Sequence, residues 1–147
     1  MTTRSIPHLI IGFGKAGKTL AADLAKHGES VILVEQSPAM YGGTCINIGC
    51  IPSKLLLVEG EKSARLTDKS AAFQAAMQRR EQLTSALRAA NYNKLATIPG
   101  VEILTGTARF LSPNVVEVST EDGACQIKAE RIYINTGARP ATLALEG

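Results

Sequence analysis

Cys45 and Cys50 stand in the string Gly42-Gly43-Thr44-Cys45-Ile46-Asn47-Ile48-Gly49-Cys50-Ile51-Pro52-Ser53-Lys54. Glycines around them, with Pro52 and Lys54 behind, make core packing a poor explanation for the pair. The chemistry such a pair offers is that of a dithiol that closes to a disulfide and reopens. In a regular α-helix, residues five apart lie about 140° round the axis and roughly 8.6 Å apart at Cα. A disulfide tolerates at most about 7 Å, so the segment must depart from a helix between the two sulfurs. Gly49 supplies the backbone freedom for that. Pro52 sits best in a first helical turn, which places a helix onset near Cys50. Unpaired N–H groups at that onset stabilise a thiolate, and Lys54, four residues on, adds positive charge on the same face.

A second constellation precedes the first. The apolar run ending at Ile11 enters Gly12-x-Gly14-x-x-Gly17, and Glu35 closes the next apolar run, 23 residues after Gly12. The first glycine permits a tight turn, the second lets a pyrophosphate approach the backbone, and the third allows close helix–strand packing. A pyrophosphate then rests on the helix N-terminus. Glu35 can accept hydrogen bonds from a ribose diol, and its charge disfavours a 2′-phosphate, so the nucleotide is FAD or NAD rather than NADP. The glycines do not separate these two. The dithiol does, because electrons pass readily between a thiolate and a flavin, and FAD is its natural partner.

Composition bounds the remaining readings. The chain has 147 residues, 45% hydrophobic and 20% charged, with a net charge of +3. These values suit one soluble globular domain with a modest core. Leu9-Ile10-Ile11 is far too short to span a membrane, and no signal peptide is evident at residues 1–5, so a cytoplasmic location is expected. There a catalytic cysteine pair is a better account than a structural disulfide. Between Gly60 and Lys94, seven basic residues face three acids. Those charges are spread round a helical pattern, which reads as a solvated helix face, and no nucleic-acid partner or metal site is expected.

Elements that position the two constellations can be placed from periodicity. Ile6 to Ile11 and Val31 to Val34 read as buried strands joined by a helix from Lys15 to His27, with Gly28 as its stop. This is a βαβ unit and implies a parallel sheet. The redox loop spans 42–54 and a helical region 55–97, in which Phe73, Ala76, Met77, Leu83, Leu87 and Ala90 approximate an apolar stripe that Arg80 interrupts. Residues 101–135 read as an antiparallel meander that returns to the main sheet through Ile132-Tyr133-Ile134, with Cys125 incidental in a turn.

With these residues in view, Gly-Gly-Thr-Cys-x-Asn-x-Gly-Cys-x-Pro-Ser-Lys behind a Gly-x-Gly-x-x-Gly turn resembles the N-terminal FAD segment of the pyridine nucleotide-disulfide oxidoreductases. Glutathione reductase, dihydrolipoamide dehydrogenase and mercuric reductase belong to that family. The resemblance covers essentially all of residues 1–147. It implies an α/β, Rossmann-like FAD-binding fold with a parallel sheet, crossover helices and an antiparallel β-meander, incomplete relative to the family. It also implies roles. Cys45 would be the interchange thiol that meets substrate. Cys50 would sit against the flavin and form the thiolate–flavin charge-transfer state, with Lys54 near the flavin N5 edge. Gly12, Gly14 and Gly17 would hold the pyrophosphate, Glu35 and Gln36 the adenosine ribose, and Gly43 and Thr44 the phosphate side of the loop. Thr107 and Ala108, in Gly106-Thr107-Ala108, would touch the adenine. Thr136 and Gly137, in Thr136-Gly137-Ala138-Arg139-Pro140, would close over FAD.

The function implied is reduction of disulfides or soft metal ions through a Cys45–Cys50 dithiol, with NAD(P)H as electron donor and a homodimer in the full-length family. The family's NAD(P)H and dimerisation domains are not recognisable here, and neither His8 nor His27 matches its catalytic histidine. The chain is therefore expected to be a truncated product or excised domain, not competent for the full cycle. The alternative is a non-catalytic dinucleotide-binding remnant that folds without turnover; a flavin-free thiol sensor is a third.

Overall fold

The computed structural model describes Thr3–Arg139 together with Ala141, Thr142, Ala144 and Leu145. Pro140 of the turn after the meander, and the chain's last residue, Gly147, lie outside the described residues. Strand β1 (Thr3–Ile11) leads into helix α1 (Lys15–Lys26) and strand β2 (Val31–Glu35). A 3₁₀ turn (Pro38–Met40) precedes α2 (Thr44–Asn47), α3 (Cys50–Ser63) and α4 (Lys69–Ala96). Strands β3 (Val101–Thr105), β4 (Thr107–Ser112), β5 (Val115–Thr120) and β6 (Gly123–Ile134) follow. All six strands form one sheet in the order β3-β2-β1-β6-β5-β4. β1 pairs in parallel with β2 and with β6, and β2 in parallel with β3.

The meander is therefore shorter than the sequence implies. Val101–Thr105 is a third parallel strand on the far side of β2, with Val31 opposite Val101 and Glu35 opposite Thr105. Only β4, β5 and β6 run antiparallel. The reason is tertiary: a short β-branched run bounded by Pro99-Gly100 carries no local mark of which neighbour it will pair with. Cys125 lies inside β6 opposite Val118, not in a turn. His8, within β1, is 2% exposed.

Side chains alternate across the strands and build a core on each face. Leu9, Ile32, Val34, Val116, Val118, Ile127 and Ala129 form one cluster, drawing on parallel strands and meander alike. Ile10, Phe13, Ala21, Val31, Leu33 and Leu95 form the other, covered by α1 and the C-terminal end of α4. The stripe expected on α4 is only partly the buried face. Phe73 is 62% and Leu83 38% exposed, while the buried residues are Ala76, Thr84 and Leu95. Arg88 and Asn91, half-buried, continue that face. It is polar midway because it packs against the redox loop rather than the sheet.

Arg4 in β1 makes a two-pronged ion pair with Glu102 in β3, its Nη1 donating at 2.7 Å to Oε1. Hydrogen bonds from Arg4 hold the Glu102 carboxyl below its usual range, with burial opposing. A depressed folded value means the pair stabilises above the ordinary carboxylate pKa and that this contribution is lost as pH falls through the lowered one. Both side chains are about 40% exposed (40% and 42%), so the gain is at most about 1 kcal/mol. Glu102→Gln is expected to lower the urea midpoint at neutral pH and to match the parent in acid. A difference that persists once the carboxyl is protonated would show that packing, not charge, is responsible.

Candidate nucleotide and dithiol site

Every candidate element converges on the carboxyl edge of the parallel strands. The chain leaves β1 for β2 and β3 on one side and returns to β6 on the other, so strand order switches at β1. A crevice at such a switch point, outside the carboxyl ends of the strands, is where open α/β sheets take ligands. Gly12 follows β1 with φ +110°, and an added Cβ would stand 2.2 Å from the Asn135 carbonyl oxygen. At Gly17 an added Cβ would meet the Gly12 carbonyl oxygen at 2.4 Å. Gly14 caps α1 without any side-chain cap bond, which leaves first-turn N–H groups pointing out of the helix end.

Glu35 ends β2 beside this turn. Its Oε2 accepts from the Phe13 N–H at 2.9 Å, and Oε1 from the Ser37 N–H at 3.4 Å. Oε1 thus keeps most of its capacity, while Oε2 braces the glycine turn. The Gly106 N–H donates to the Glu35 carbonyl at 2.9 Å, so Thr107 and Ala108 at the head of β4 lie next to it. Gln36 and Thr107 are exposed, and Ala108 is half-buried. Thr136 and Gly137 follow Asn135 past the end of β6, exposed, with Gly137 at φ +73°.

The redox loop is laid directly over the glycine turn. Gly43 has φ +84°, and an added Cβ would stand 2.6 Å from Gly14 Cα. Thr44 opens α2, and its carbonyl accepts from both the Ile48 and Gly49 N–H groups at 2.9 and 2.8 Å. Gly49 then breaks the chain direction at φ −100°, ψ −107°, outside the helical region, and Cys50 starts α3. Cys45 and Cys50 therefore sit on two separate helices, both as free, exposed thiols. A hydrogen bond between the two sulfurs pushes the Cys45 thiol above its ordinary range, reinforced by desolvation and by the charge of Cys50. Lys54, one turn along α3 from Cys50, is exposed.

Four polar residues without an assigned role in the sequence reading complete the site. The Asn135 amide donates to the Gly12 carbonyl at 3.1 Å, tying β6 to the first turn. The Asn47 amide donates to the carbonyls of Tyr41 and Gly43 at 3.1 and 2.9 Å, and its Oδ1 accepts from Arg88 at 3.3 Å. Arg88 is itself held by Glu81 at 3.0 Å. Asn91, on the same face of α4, accepts from the Lys18 ammonium. Only Asn47 carried a signal, as the one amide inside the cysteine string. Arg88→Ala should leave the fold intact, cost about 1 kcal/mol by urea titration, and speed exchange of the amides of residues 43–49. Unchanged exchange there would show that α4 does not hold the loop.

Comparison with known proteins agrees with this geometry. Residues 6–147 match the family model described as pyridine nucleotide-disulphide oxidoreductase. The pyridine nucleotide-disulfide oxidoreductase RclA of Escherichia coli K12 is 45% identical over 139 residues, covering 95% of this chain and 30% of RclA. Mercuric reductase of Streptomyces lividans is 35% identical over 151 residues, covering 94% of this chain and 31% of that enzyme. A solved structure described as a Cu(II) complex of the HOCl-induced flavoprotein disulfide reductase RclA from Escherichia coli superposes with a TM-score of 0.87. It is 43% identical and covers 98% of this chain and 31% of that one. The chain spans less than a third of the length of these relatives. Its mixed α/β sheet is that of a Rossmann-like FAD-binding fold, and the chain belongs to the pyridine nucleotide-disulphide oxidoreductases.

Proposed function

We propose that the chain is the FAD- and dithiol-carrying segment of an NAD(P)H-dependent flavoprotein reductase that delivers electrons through Cys45 and Cys50 to a disulfide or a soft metal ion. The observation that carries this reading is the seating of Gly43 on Gly14, which joins the dithiol loop to the dinucleotide turn with no side chain between them. The residues present fit the cofactor. An uncapped helix start, a cradle in which a Cβ at Gly12, Gly17 or Gly43 would collide with backbone, and a carboxylate at the end of β2 suit a pyrophosphate and an adenosine ribose. Bound FAD would supply two-electron transfer between NAD(P)H and the thiols.

The chain's own residues do the rest. First-turn amides of α1, with Thr44 at the loop, hold phosphate. Glu35 Oε1, with Gln36 beside it, takes the ribose. Thr107 and Ala108 meet the adenine, and Thr136 and Gly137 close over the cofactor. Cys50 is the inner thiol at the head of α3, with Lys54 supplying positive charge one turn on. Cys45, in the loop ahead of it, is the thiol that meets the acceptor. The relatives' printed activities support this assignment, since they include a flavoprotein disulfide reductase and a mercuric reductase. The nicotinamide-binding and dimerisation domains of the whole protein, a homodimer, and a cytoplasmic setting without nucleic-acid or membrane partners belong to the same proposal. Among the described residues no helix is long and apolar enough to cross a membrane.

Adding FAD to the purified chain tests the reading. One flavin per chain should co-elute on gel filtration with quenched fluorescence, and mild oxidation should remove two hydrogens by mass while protecting Cys45 and Cys50 from alkylation. A chain that closes its disulfide but never retains flavin is a thiol sensor. One that binds flavin and never closes is a dinucleotide-binding module only.

A further inference from the structure

On its way to Cys45 the chain passes through Gly42 and Gly43, both at positive φ (+89° and +84°). Glycine adopts such conformations about as readily as negative φ, so the pair by itself does not aim the short helix that carries Cys45. The residue ahead of them does. Tyr41 is half-buried. Its ring meets Phe13 edge-on at 5.4 Å between centroids and stacks on Tyr92 of α4 at 4.8 Å. Phe13 stands between Gly12 and Gly14, fully buried, with its N–H on the Glu35 carboxylate. The Tyr41 hydroxyl is hydrogen-bonded to Thr105 Oγ1 at the end of β3. Its carbonyl accepts at 3.1 Å from the amide of Asn47, the residue midway between the two cysteines. Core packing alone accounts for the ring against Phe13. It does not account for a hydroxyl tied to a strand end and a carbonyl tied to the cysteine string, both on the residue that enters the glycine pair.

We propose that Tyr41 is a positioning residue for the dithiol: it anchors the loop that carries Cys45 and thereby sets the equilibrium between open thiols and the Cys45–Cys50 disulfide. This rests on the reading that the two thiols close on each other. Cys45 lies in α2 and Cys50 in α3, with the chain broken at Gly49, so no single helix holds one sulfur to the other. A loop anchored at its entry keeps the sulfurs in the hydrogen-bonded arrangement of the reduced chain, and closure then demands little further ordering. With the anchor gone, Gly42 and Gly43 swing, and the sulfurs must be gathered each time the bond forms. Ordering the backbone of a single residue is worth roughly tenfold in an equilibrium constant. Exchange with glutathione reports that constant. The Cys45 thiolate attacks one sulfur of oxidised glutathione, the S–S bond breaks, and one glutathione leaves as a thiolate. The Cys50 thiolate then attacks the Cys45 sulfur of the mixed disulfide and releases the second. Two electrons and the two thiol protons pass from the chain to glutathione, leaving Cys45–Cys50 as the disulfide.

The experiment brings the purified chain to equilibrium with mixtures of reduced and oxidised glutathione, quenches in acid, alkylates, and reads the closed fraction by mass. Urea titration of each variant runs alongside. Tyr41→Leu should lower the closure constant by about tenfold. Tyr41→Phe keeps both ring contacts, loses only the hydroxyl bond, and should stay within about threefold of the parent. Tyr92→Leu removes the stacked ring from α4 without altering the loop's own sequence and should lower the constant by about threefold. It decides the matter if Tyr41→Leu does not fold. Tyr133→Leu takes a half-buried ring from the same core face, where it meets His8 at 6.0 Å between centroids. It should lower the urea midpoint and leave the closure constant at the parent's value. Closure constants of Tyr41→Leu and Tyr92→Leu equal to the parent's, or Tyr133→Leu shifted as far as they are, overturn the proposal while leaving the dithiol reading intact. A parent chain that closes at no glutathione ratio overturns both.

Discussion

Gly12→Ala is expected to destabilise the chain by about 3–5 kcal/mol, a large share of the roughly 5–15 kcal/mol that holds a domain folded. Two costs add. At φ +110° an L side chain is strained, and its Cβ would stand 2.2 Å from the Asn135 carbonyl oxygen, a backbone atom with nowhere to go. The last strand would have to move off the first turn. Two other glycines calibrate the measurement. Gly28 has φ +84° with nothing within 4 Å of an added Cβ, so Gly28→Ala should cost only about 1–2 kcal/mol of backbone strain. Gly60, inside α3, is also open, and Gly60→Ala should stabilise by about 0.5–1 kcal/mol. Urea titration of the three variants checks the order. A Gly12→Ala chain as stable as Gly28→Ala would mean that β6 does not close against the turn.

Cys50→Ala should act on the chemistry instead of the fold. It removes the two-hydrogen loss on oxidation altogether, since Cys45 is left without a partner. It also moves the alkylation profile of Cys45. In the parent, the bond between the sulfurs holds the Cys45 proton and keeps the thiol above its ordinary range. Without Cys50 the proton leaves at lower pH, more thiolate is present, and iodoacetamide should react roughly two- to tenfold faster near pH 8. Cys125→Ser, near the start of β6, serves as the control and should leave both readouts unchanged. A profile that stays put or shifts upward in Cys50→Ala would mean that the two sulfurs are not bonded in the reduced chain.

Residues whose meaning lies in local spacing were legible in the sequence. Gly12, Gly14, Gly17 and Glu35 report themselves because a tight turn, a helix start and a strand end follow one another within a single βαβ unit. The break between the cysteines was legible because helix geometry forbids their bridging, and Gly49 is where the chain interrupts α2 and α3. What the sequence hid depends on distant partners. Val101–Thr105 has the composition of any short strand, and only packing beside β2 makes it parallel. The buried face of α4 was misread because apolar spacing was used to find it. Arg88 turns inward to the Asn47 amide of the redox loop and Asn91 to the Lys18 ammonium of α1, where an apolar side chain would leave polar groups unsatisfied. Asn135 is a single polar residue at a strand end, with no pattern to mark it.

Asn135 also says something about time. Its amide closes on the Gly12 carbonyl across 123 positions of sequence, and β6 supplies the whole of one parallel neighbour to β1. A chain made from its N-terminus therefore exposes the glycine turn and β1 early, and completes neither until β6 has emerged. Pairing at such separation makes for slow, late assembly. Until β6 emerges, one flank of β1 is an open edge that a chaperone or a neighbouring chain can reach before its own partner does.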